Sequence, residues 1–230
     1  MCIRDRSMTK IISIEGNIGS GKSTIVKQLK ECNSSNYIFV EEPVDEWSTI
    51  CDENGECILS HFYKNSKQYS FQFQMMAYIS RLNILREMIK HNPNAVIITE
   101  RCLFTDKYVF AKMLFDSGNM SKIEYDIYNK WFSCFLDNVS IDGIIYIKTN
   151  PNTCMERINK RNRDGEDIPL DYLNKCHQYH ENWLSNSSIP ITYYDGNTNV
   201  NEDNIVSCMK NIESSIHELL AVDITKQYKE

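Results

Sequence analysis

The residues best suited to chemistry lie close to the start of the chain. Gly16-Asn17-Ile18-Gly19-Ser20-Gly21-Lys22-Ser23-Thr24 fits the pattern G-x-x-x-x-G-K-[ST]. Glycines in such a loop let successive backbone N–H groups converge on phosphate oxygens, and a following helix adds the positive end of its dipole. Lys22 would reach the β and γ phosphates of a nucleoside triphosphate, and the Ser23 hydroxyl would complete part of a magnesium shell. The loop announces a nucleotide without naming a reaction.

Three further clusters narrow the chemistry. Glu41-Glu42-Pro43-Val44-Asp45-Glu46-Trp47 offers Glu42 as a carboxylate that can orient an acceptor hydroxyl and take its proton. Thr99-Glu100-Arg101 sets an acid beside a guanidinium, a pairing suited to a metal and a phosphoryl group in transfer. Arg157, Arg161 and Arg163 begin at helical spacing and run into the polar Asp164-Gly165-Glu166-Asp167, the composition of a lid that closes over phosphates. Taken singly, these would be a solvated loop acid, a surface ion pair and a charged helix end. Their joint placement after strands, or in a lid position, is what gives them weight.

The elements that must hold them are legible as short apolar runs. Lys10–Glu15, Tyr37–Val40, Asn94–Glu100, Asp142–Lys148 and Thr192–Asp195 read as five strands of the parallel-sheet type. Helical spacing covers Lys22–Cys32, Phe71–His91, Thr105–Phe115, Ser121–Leu136 and Leu170–Leu184, and in the second of these Phe71, Met75, Tyr78, Leu82, Leu85 and Ile89 form an apolar stripe. Strands alternating with helices predict a three-layer α/β/α fold of the P-loop NTPase type, with a parallel central sheet and an arginine-bearing lid over about residues 158–168.

Composition bounds the rest. A chain of 230 residues, 42% hydrophobic and 24% charged, suits one globular domain, here residues 8–230. Residues 1–7 (Met1 to Ser7) are polar and patternless and read as a non-native leader. The net charge of −6 argues against a general nucleic-acid binder, and no apolar run has the roughly 18 residues of a membrane helix. Nine scattered cysteines without metal-ligand spacing read as free buried thiols of a reducing compartment, and with no signal or membrane segment in view a cytoplasmic location is expected, an organellar one staying open.

At this point the chain resembles the deoxynucleoside kinase family, from Met8 to the C-terminus. The resemblance rests on Glu15 to Thr24, Glu42-Pro43-Val44 with Trp47, Phe73-Gln74, Glu100-Arg101, and the arginine lid followed by Ile168-Pro169-Leu170. It implies ATP with Mg2+ as donor, a deoxynucleoside as acceptor, and a homodimer. Glu42 resembles the general base for the 5′-hydroxyl, with Arg101 its partner and with Glu100 and Ser23 on the magnesium side. Tyr63 and Glu166 match a pair that hydrogen-bonds the sugar 3′-hydroxyl, and Gln74 an amide that reads the base edge. Trp47, Phe73 and Phe110 match aromatic walls, and Arg157, Arg161 and Arg163 the lid arginines, Arg157 lying near the donor base.

The resemblance also bears on substrate. Arg81, Asp106 and the small Ala77 are similar to the deoxycytidine and deoxyguanosine branch, where thymidine-accepting members carry apolar residues in place of the first two. Phe110 to Phe115, Gly118 and Ile123-Glu124 look most like deoxyguanosine kinase, with deoxyadenosine and deoxycytidine open. Two departures stand out: Cys102 where a serine is usual, and a lid that reads one residue short around Gly165. Three other readings remain, the first being a thymidine or broad-range deoxynucleoside kinase with the same machinery. A nucleoside monophosphate kinase would want extra basic residues for its acceptor, and an inactive nucleotide-binding regulator would be expected to have lost some of Lys22, Glu42, Glu100 and Arg101.

Overall fold

A computed structural model describes residues 9–33, 37–136, 139–163, 166–201 and 203–222. The leader at residues 1–7 and the Asp164-Gly165 part of the lid lie outside them. Five strands, β1 (Lys10–Glu15), β2 (Ile38–Val40), β3 (Val96–Glu100), β4 (Gly143–Lys148) and β5 (Ile191–Asp195), pair in the order β2-β3-β1-β4-β5, and every pairing is parallel. β1 lies in the middle, and its residues are buried from Ile11 onward. That explains why its sequence is an unbroken apolar run with no alternation.

Around the sheet run α1 (Lys22–Asn33), α2 (Val44–Trp47), α3 (Ile58–Lys64), α4 (Ser66–His91), α5 (Leu103–Thr105), a π-helical turn (Asp106–Ala111), α6 (Lys112–Asp116), α7 (Lys122–Phe135), α8 (Pro151–Arg161), α9 (Leu170–Ser185) and α10 (Ile205–Ala221). Because strand side chains alternate between faces, each strand feeds two cores. Ile11, Ile97, Ile144 and Tyr146 pack toward α4 and α7, whereas Ile12, Ile14, Ile98, Ile145 and Ile147 pack toward α1 and α10. The result is the three-layer arrangement expected.

Several local choices have identifiable causes. Ser121 and Glu124 form a reciprocal capping box that starts α7. Asp142 precedes β4 rather than joining it, and its carboxylate accepts from the Ile11 backbone N–H (2.8 Å) and Lys10 Nζ (2.9 Å). Asn65 caps α4 by accepting from the Gln68 N–H.

The structure departs from the sequence-based reading in four places. The helix expected over Thr105–Phe115 is interrupted by the π-helical turn, which no periodicity of 3.6 would reveal. The apolar stripe of α4 is half right: Tyr78, Leu82 and Leu85 are buried, but the same helix also buries Phe73, Gln74, Ala77, Ser80 and Arg81. Helices α2, α3 and α10 were not anticipated. Finally, the thiols are free but not uniformly buried; among the described residues Cys102, Cys154, Cys176 and Cys208 are interior, while Cys32, Cys51 and Cys134 are exposed.

α10 closes one face of the sheet through Met209, Ile212, Ile216 and Leu219, and Ile216 is fully buried. Ile216→Ala should therefore cost about 3 kcal/mol of stability, read as a lower urea midpoint at an unchanged m-value. A change within 0.5 kcal/mol, the range of surface substitutions, would mean that α10 is not part of the cooperative core.

Candidate active site

One cleft of about 1080 Å³ opens at the C-terminal ends of β1, β2 and β3, where open parallel sheets bind ligands. Its floor is the turn from β1 into α1. Gly16 has φ +153°, and a Cβ there would sit 2.6 Å from Ser20 Oγ and 2.7 Å from the Ile147 carbonyl. Gly19, at φ +76°, faces the Cys154 carbonyl of α8 equally closely. These two positions need glycine because the loop is wedged between β4 and α8. Asn17 anchors it by donating to the Leu173 carbonyl (2.9 Å) and accepting from the Ile18 N–H (2.8 Å).

Lys22 is buried, and its ammonium donates to the Asn17 carbonyl at 2.7 Å. Burial, then the nearby Arg101 charge, lowers its pKa to about 8, against the pull of Glu100, Glu42 and Glu15. A polyphosphate arriving at this ammonium would favour its charged state further. Beside it Ser23 Oγ donates to Glu100 Oε1 at 2.8 Å, which puts a hydroxyl and a carboxylate together at the loop's end.

At the opposite end two arginines and two carboxylates form one network. Arg81, 2% exposed, donates from Nε to Asp106 (3.0 Å), from one terminal nitrogen to the Glu100 carbonyl (3.0 Å) and from the other to Glu42 (3.0 Å). Arg101 reaches both oxygens of Glu42, at 2.8 and 2.7 Å. Its guanidinium also lies over the Phe110 ring, 5.2 Å from the centroid. Arg101 has φ +60°, a left-handed conformation that a non-glycine residue adopts at some cost. The strain is held by its N–H on the Ile14 carbonyl and by Thr99 Oγ1 on its own carbonyl.

The electrostatics follow from this pairing. Burial alone would raise the Glu42 pKa, but Arg101, Arg81 and Lys22 hold it down to about 2. Asp106 is pushed the other way, up to about 6, because burial outweighs the pull of Arg81. Burial works against both guanidinium charges, yet their carboxylate partners, chiefly Asp106 for Arg81 and Glu42 for Arg101, hold them above the ordinary value.

The side walls are aromatic. Trp47 meets Phe73 edge to face at 5.4 Å and donates from Nε1 to Ser80 Oγ at 3.0 Å, and Phe73 stacks on Phe62 at 4.7 Å. Gln74 is buried beside them and lines the cleft with Ala77, and among the described residues its Oε1 has no hydrogen-bond partner. Tyr63 lines the same wall, its hydroxyl pushed well up by burial and then by the charge of Glu166.

The lid side shows one difference from expectation. Glu166 is engaged by Arg161, so the carboxylate expected on a sugar hydroxyl is held by a lid arginine. Arg163 lines the cleft. Arg157 donates to the Ser20 carbonyl (3.0 Å) and to Asn199 Oδ1 (2.9 Å), bracing the phosphate loop against the segment after β5.

Every site residue proposed from the sequence lines this cleft except Gly16 and Asn17, which shape its floor from behind. Sequence reasoning missed three contributions. Glu15 is fully buried and accepts from Ser13 Oγ (2.6 Å), the Cys102 N–H (2.9 Å) and Thr105 Oγ1 (2.6 Å), locking β1 to the turn after β3. Cys102 thus serves through its backbone, which explains why a thiol is accommodated there. Leu59 and Phe62 come from the unanticipated α3. Gly196 to Asn201 form the rim of the cleft after β5, and their Gly/Asn-rich composition after a strand was the available signal.

The family model for deoxynucleoside kinases matches residues 12–218. A probable deoxycytidine kinase of Fowlpox virus (strain NVSL) is 36% identical over 221 residues, covering 91% of this chain and 89% of the relative. Deoxycytidine kinase of Homo sapiens is 36% identical over 205 residues (80% and 78%), and mitochondrial deoxyguanosine kinase of Xenopus laevis 30% identical over 203 residues (80% and 76%).

A raised carboxyl pKa means the folded state favours the protonated acid. The contribution of Asp106 to stability is therefore full below its ordinary 3.8 and lost as pH rises through about 6. Asp106→Asn should flatten that part of a stability–pH profile measured by urea denaturation. An unchanged slope between those values would show that Asp106 is not the titrating group.

Proposed function

The chain belongs to the deoxynucleoside kinase family, and from that premise we propose that it transfers the γ-phosphoryl group of ATP to the 5′-hydroxyl of deoxycytidine, deoxyguanosine or deoxyadenosine in preference to thymidine. The observation that carries this reading is the junction of a phosphate loop and a doubly arginine-held carboxylate, Glu42, in one cleft. An acceptor already bearing a phosphate would need an uncommitted cation at that end. Both arginines there are paired, which favours a neutral hydroxyl acceptor over a nucleoside monophosphate.

The base choice rests on the Arg81–Asp106 pair and on Gln74. A guanidinium with one carboxylate presents donors and acceptors to a base edge, and the orphaned Gln74 oxygen accepts from an exocyclic amine. Thymine offers no such amine and adds a methyl group. The names of the relatives point the same way.

In the proposed mechanism the nucleoside slides between Trp47, Phe73 and Tyr63, with its 5′-hydroxyl directed at Glu42. The low pKa of Glu42 suits a late proton transfer, because a loose phosphoryl transition state asks little of its base until the bond to phosphorus forms. Arg101 stays on the carboxylate and orients it, while Lys22 draws charge from the β and γ phosphates. Arg161 and Arg163 neutralise the charge that builds on the transferring group when the lid closes.

Ser23 and Glu100 fit a magnesium ion. They are hard oxygen donors side by side, and no group of three or more His, Cys, Asp or Glu among the described residues forms a protein cage. That is the donor set of an ion held mostly by phosphate and water. When bound, the ion would neutralise phosphate charge.

A homodimer is part of the proposal. Ile123, Ile127, Trp131 and Phe135 recur every four residues along α7 and are all exposed, as is Ile79 on α4. A second copy of this chain would cover that apolar face, and no helix among the described residues is long and apolar enough to cross a membrane.

Glu42→Gln should lower kcat by about 100-fold or more, the usual range for losing a positioned base, with modest loss of nucleoside binding by calorimetry. Near-normal ADP release in that variant would remove Glu42 from its role. Ile127→Glu with Trp131→Glu should convert a dimer to a monomer in sedimentation velocity, and a monomeric parent protein would refute the interface.

A further inference from the structure

Cys51 and Cys57 flank a short hairpin that neither the phosphate chemistry nor the base choice uses. They face each other across an isolated antiparallel bridge. The surrounding hydrogen bonds run from the Ile58 N–H to the Ile50 carbonyl (2.9 Å) and from the Asp52 N–H to the Glu56 carbonyl (3.0 Å). Bonds made by the residues one step outside and one step inside the pair define 51 and 57 as the non-hydrogen-bonded type. In such pairs the Cα atoms are only about 4.5 Å apart and both side chains leave the same face. That separation falls inside the roughly 4.4–6.8 Å window a disulfide spans.

The turn between them is already set for closure. Asp52 Oδ1 accepts from the Asn54 and Glu56 N–H groups, both at 2.9 Å, and Gly55 takes φ +82° where no neighbour crowds it. Cys51 is exposed and its thiol donates to the Ser48 carbonyl, while Cys57 is half-buried. The hairpin also has a strategic position. It is the covalent link between α2, which carries Trp47, and α3, which carries Phe62 and Tyr63, and all three side chains line the nucleoside wall.

We propose that Cys51 and Cys57 are a redox-sensitive dithiol that closes to an intramolecular disulfide on meeting a low-molecular-weight disulfide, and that closure hinders nucleoside entry. The Cys51 thiolate attacks one sulfur of the small disulfide, breaking its S–S bond and releasing one thiol, which takes up a proton. The Cys57 thiolate then attacks Cys51 Sγ in the mixed disulfide and releases the second thiol. Two protein thiols are oxidised and one small disulfide is reduced to two thiols. Tying the feet of α2 and α3 constrains the two elements that carry Trp47, Phe62 and Tyr63 along the cleft. The phosphate loop and the rim at Gly196 to Asn201 are not connected through this hairpin, so ATP binding is spared.

The test incubates the full chain in oxidised glutathione, followed by intact mass, peptide mapping and kinetics with deoxycytidine and ATP. The expected product has lost two hydrogen atoms and yields a peptide joining Cys51 to Cys57. Its kcat/KM for deoxycytidine falls roughly threefold or more, a gating effect, while the KM for ATP is unchanged and dithiothreitol restores the parent values. Cys51→Ser and Cys57→Ser should each be active and insensitive to the treatment. Both thiols remaining alkylatable while Cys32 and Cys134 are oxidised would overturn the proposal. So would a Cys51–Cys57 disulfide that leaves nucleoside kinetics untouched. The kinetic arm rests on the kinase reading; reduced protein without turnover would refute that reading, and the mass result would then decide the dithiol alone.

Discussion

A guanidinium buried to 2% exposure cannot stand without partners, and the need to satisfy Arg81 organises this structure. Its fork requires Asp106, Glu42 and the Glu100 carbonyl to converge from three directions. Asp106 can arrive only if the chain after β3 turns sharply, and it does so through the strained Arg101 and the π-helical turn that begins at Asp106 itself. A wider helical turn at a functional site is a recurrent device for re-aiming side chains, and here it also sets Phe110 against Arg101. Glu42 must come from the end of β2, and α4 must carry Arg81 past both. Arg81 thus joins the two acids into one ion network, touching Asp106 with one nitrogen and Glu42 with another.

That sharing has an electrostatic consequence. Two carboxylates close to the same arginine are driven to opposite ends of the carboxylate range, Glu42 to about 2 and Asp106 to about 6, because Glu42 has a second arginine and Lys22 in its field. Such divergence is how neighbouring acids acquire separate tasks. Glu42 stays ionised between its arginines, whereas Asp106 sits nearer to neutrality.

How much of this could be read from the sequence depends on the range of the interactions involved. β1, the phosphate loop and α1 were legible because the signal is local: an apolar run, glycines at fixed spacing, then a helix start. The buried polar face of α4 was not. Gln74 and Arg81 look like solvent-facing residues until the aromatic cluster and Asp106 arrive from elsewhere in the chain. Assigning them roles depended on resemblance to a family rather than on periodicity. Glu15 was hidden for a related reason, since its partners are a backbone N–H at Cys102 and a hydroxyl at Thr105, some ninety residues away. α10, with Met209, Ile212, Ile216 and Leu219 in register, carried a readable stripe that the search for chemistry passed over.

The most direct measurement is kcat/KM for deoxycytidine, deoxyguanosine, deoxyadenosine and thymidine with ATP and Mg2+, on the parent protein and on the variant with both Arg81→Leu and Asp106→Leu. If the ion pair sets base choice, the parent disfavours thymidine, and removing both charges together keeps the fold while moving preference toward thymidine. A parent that favours thymidine, or a folded double variant with the parent's order of preference, would contradict the role assigned to Arg81.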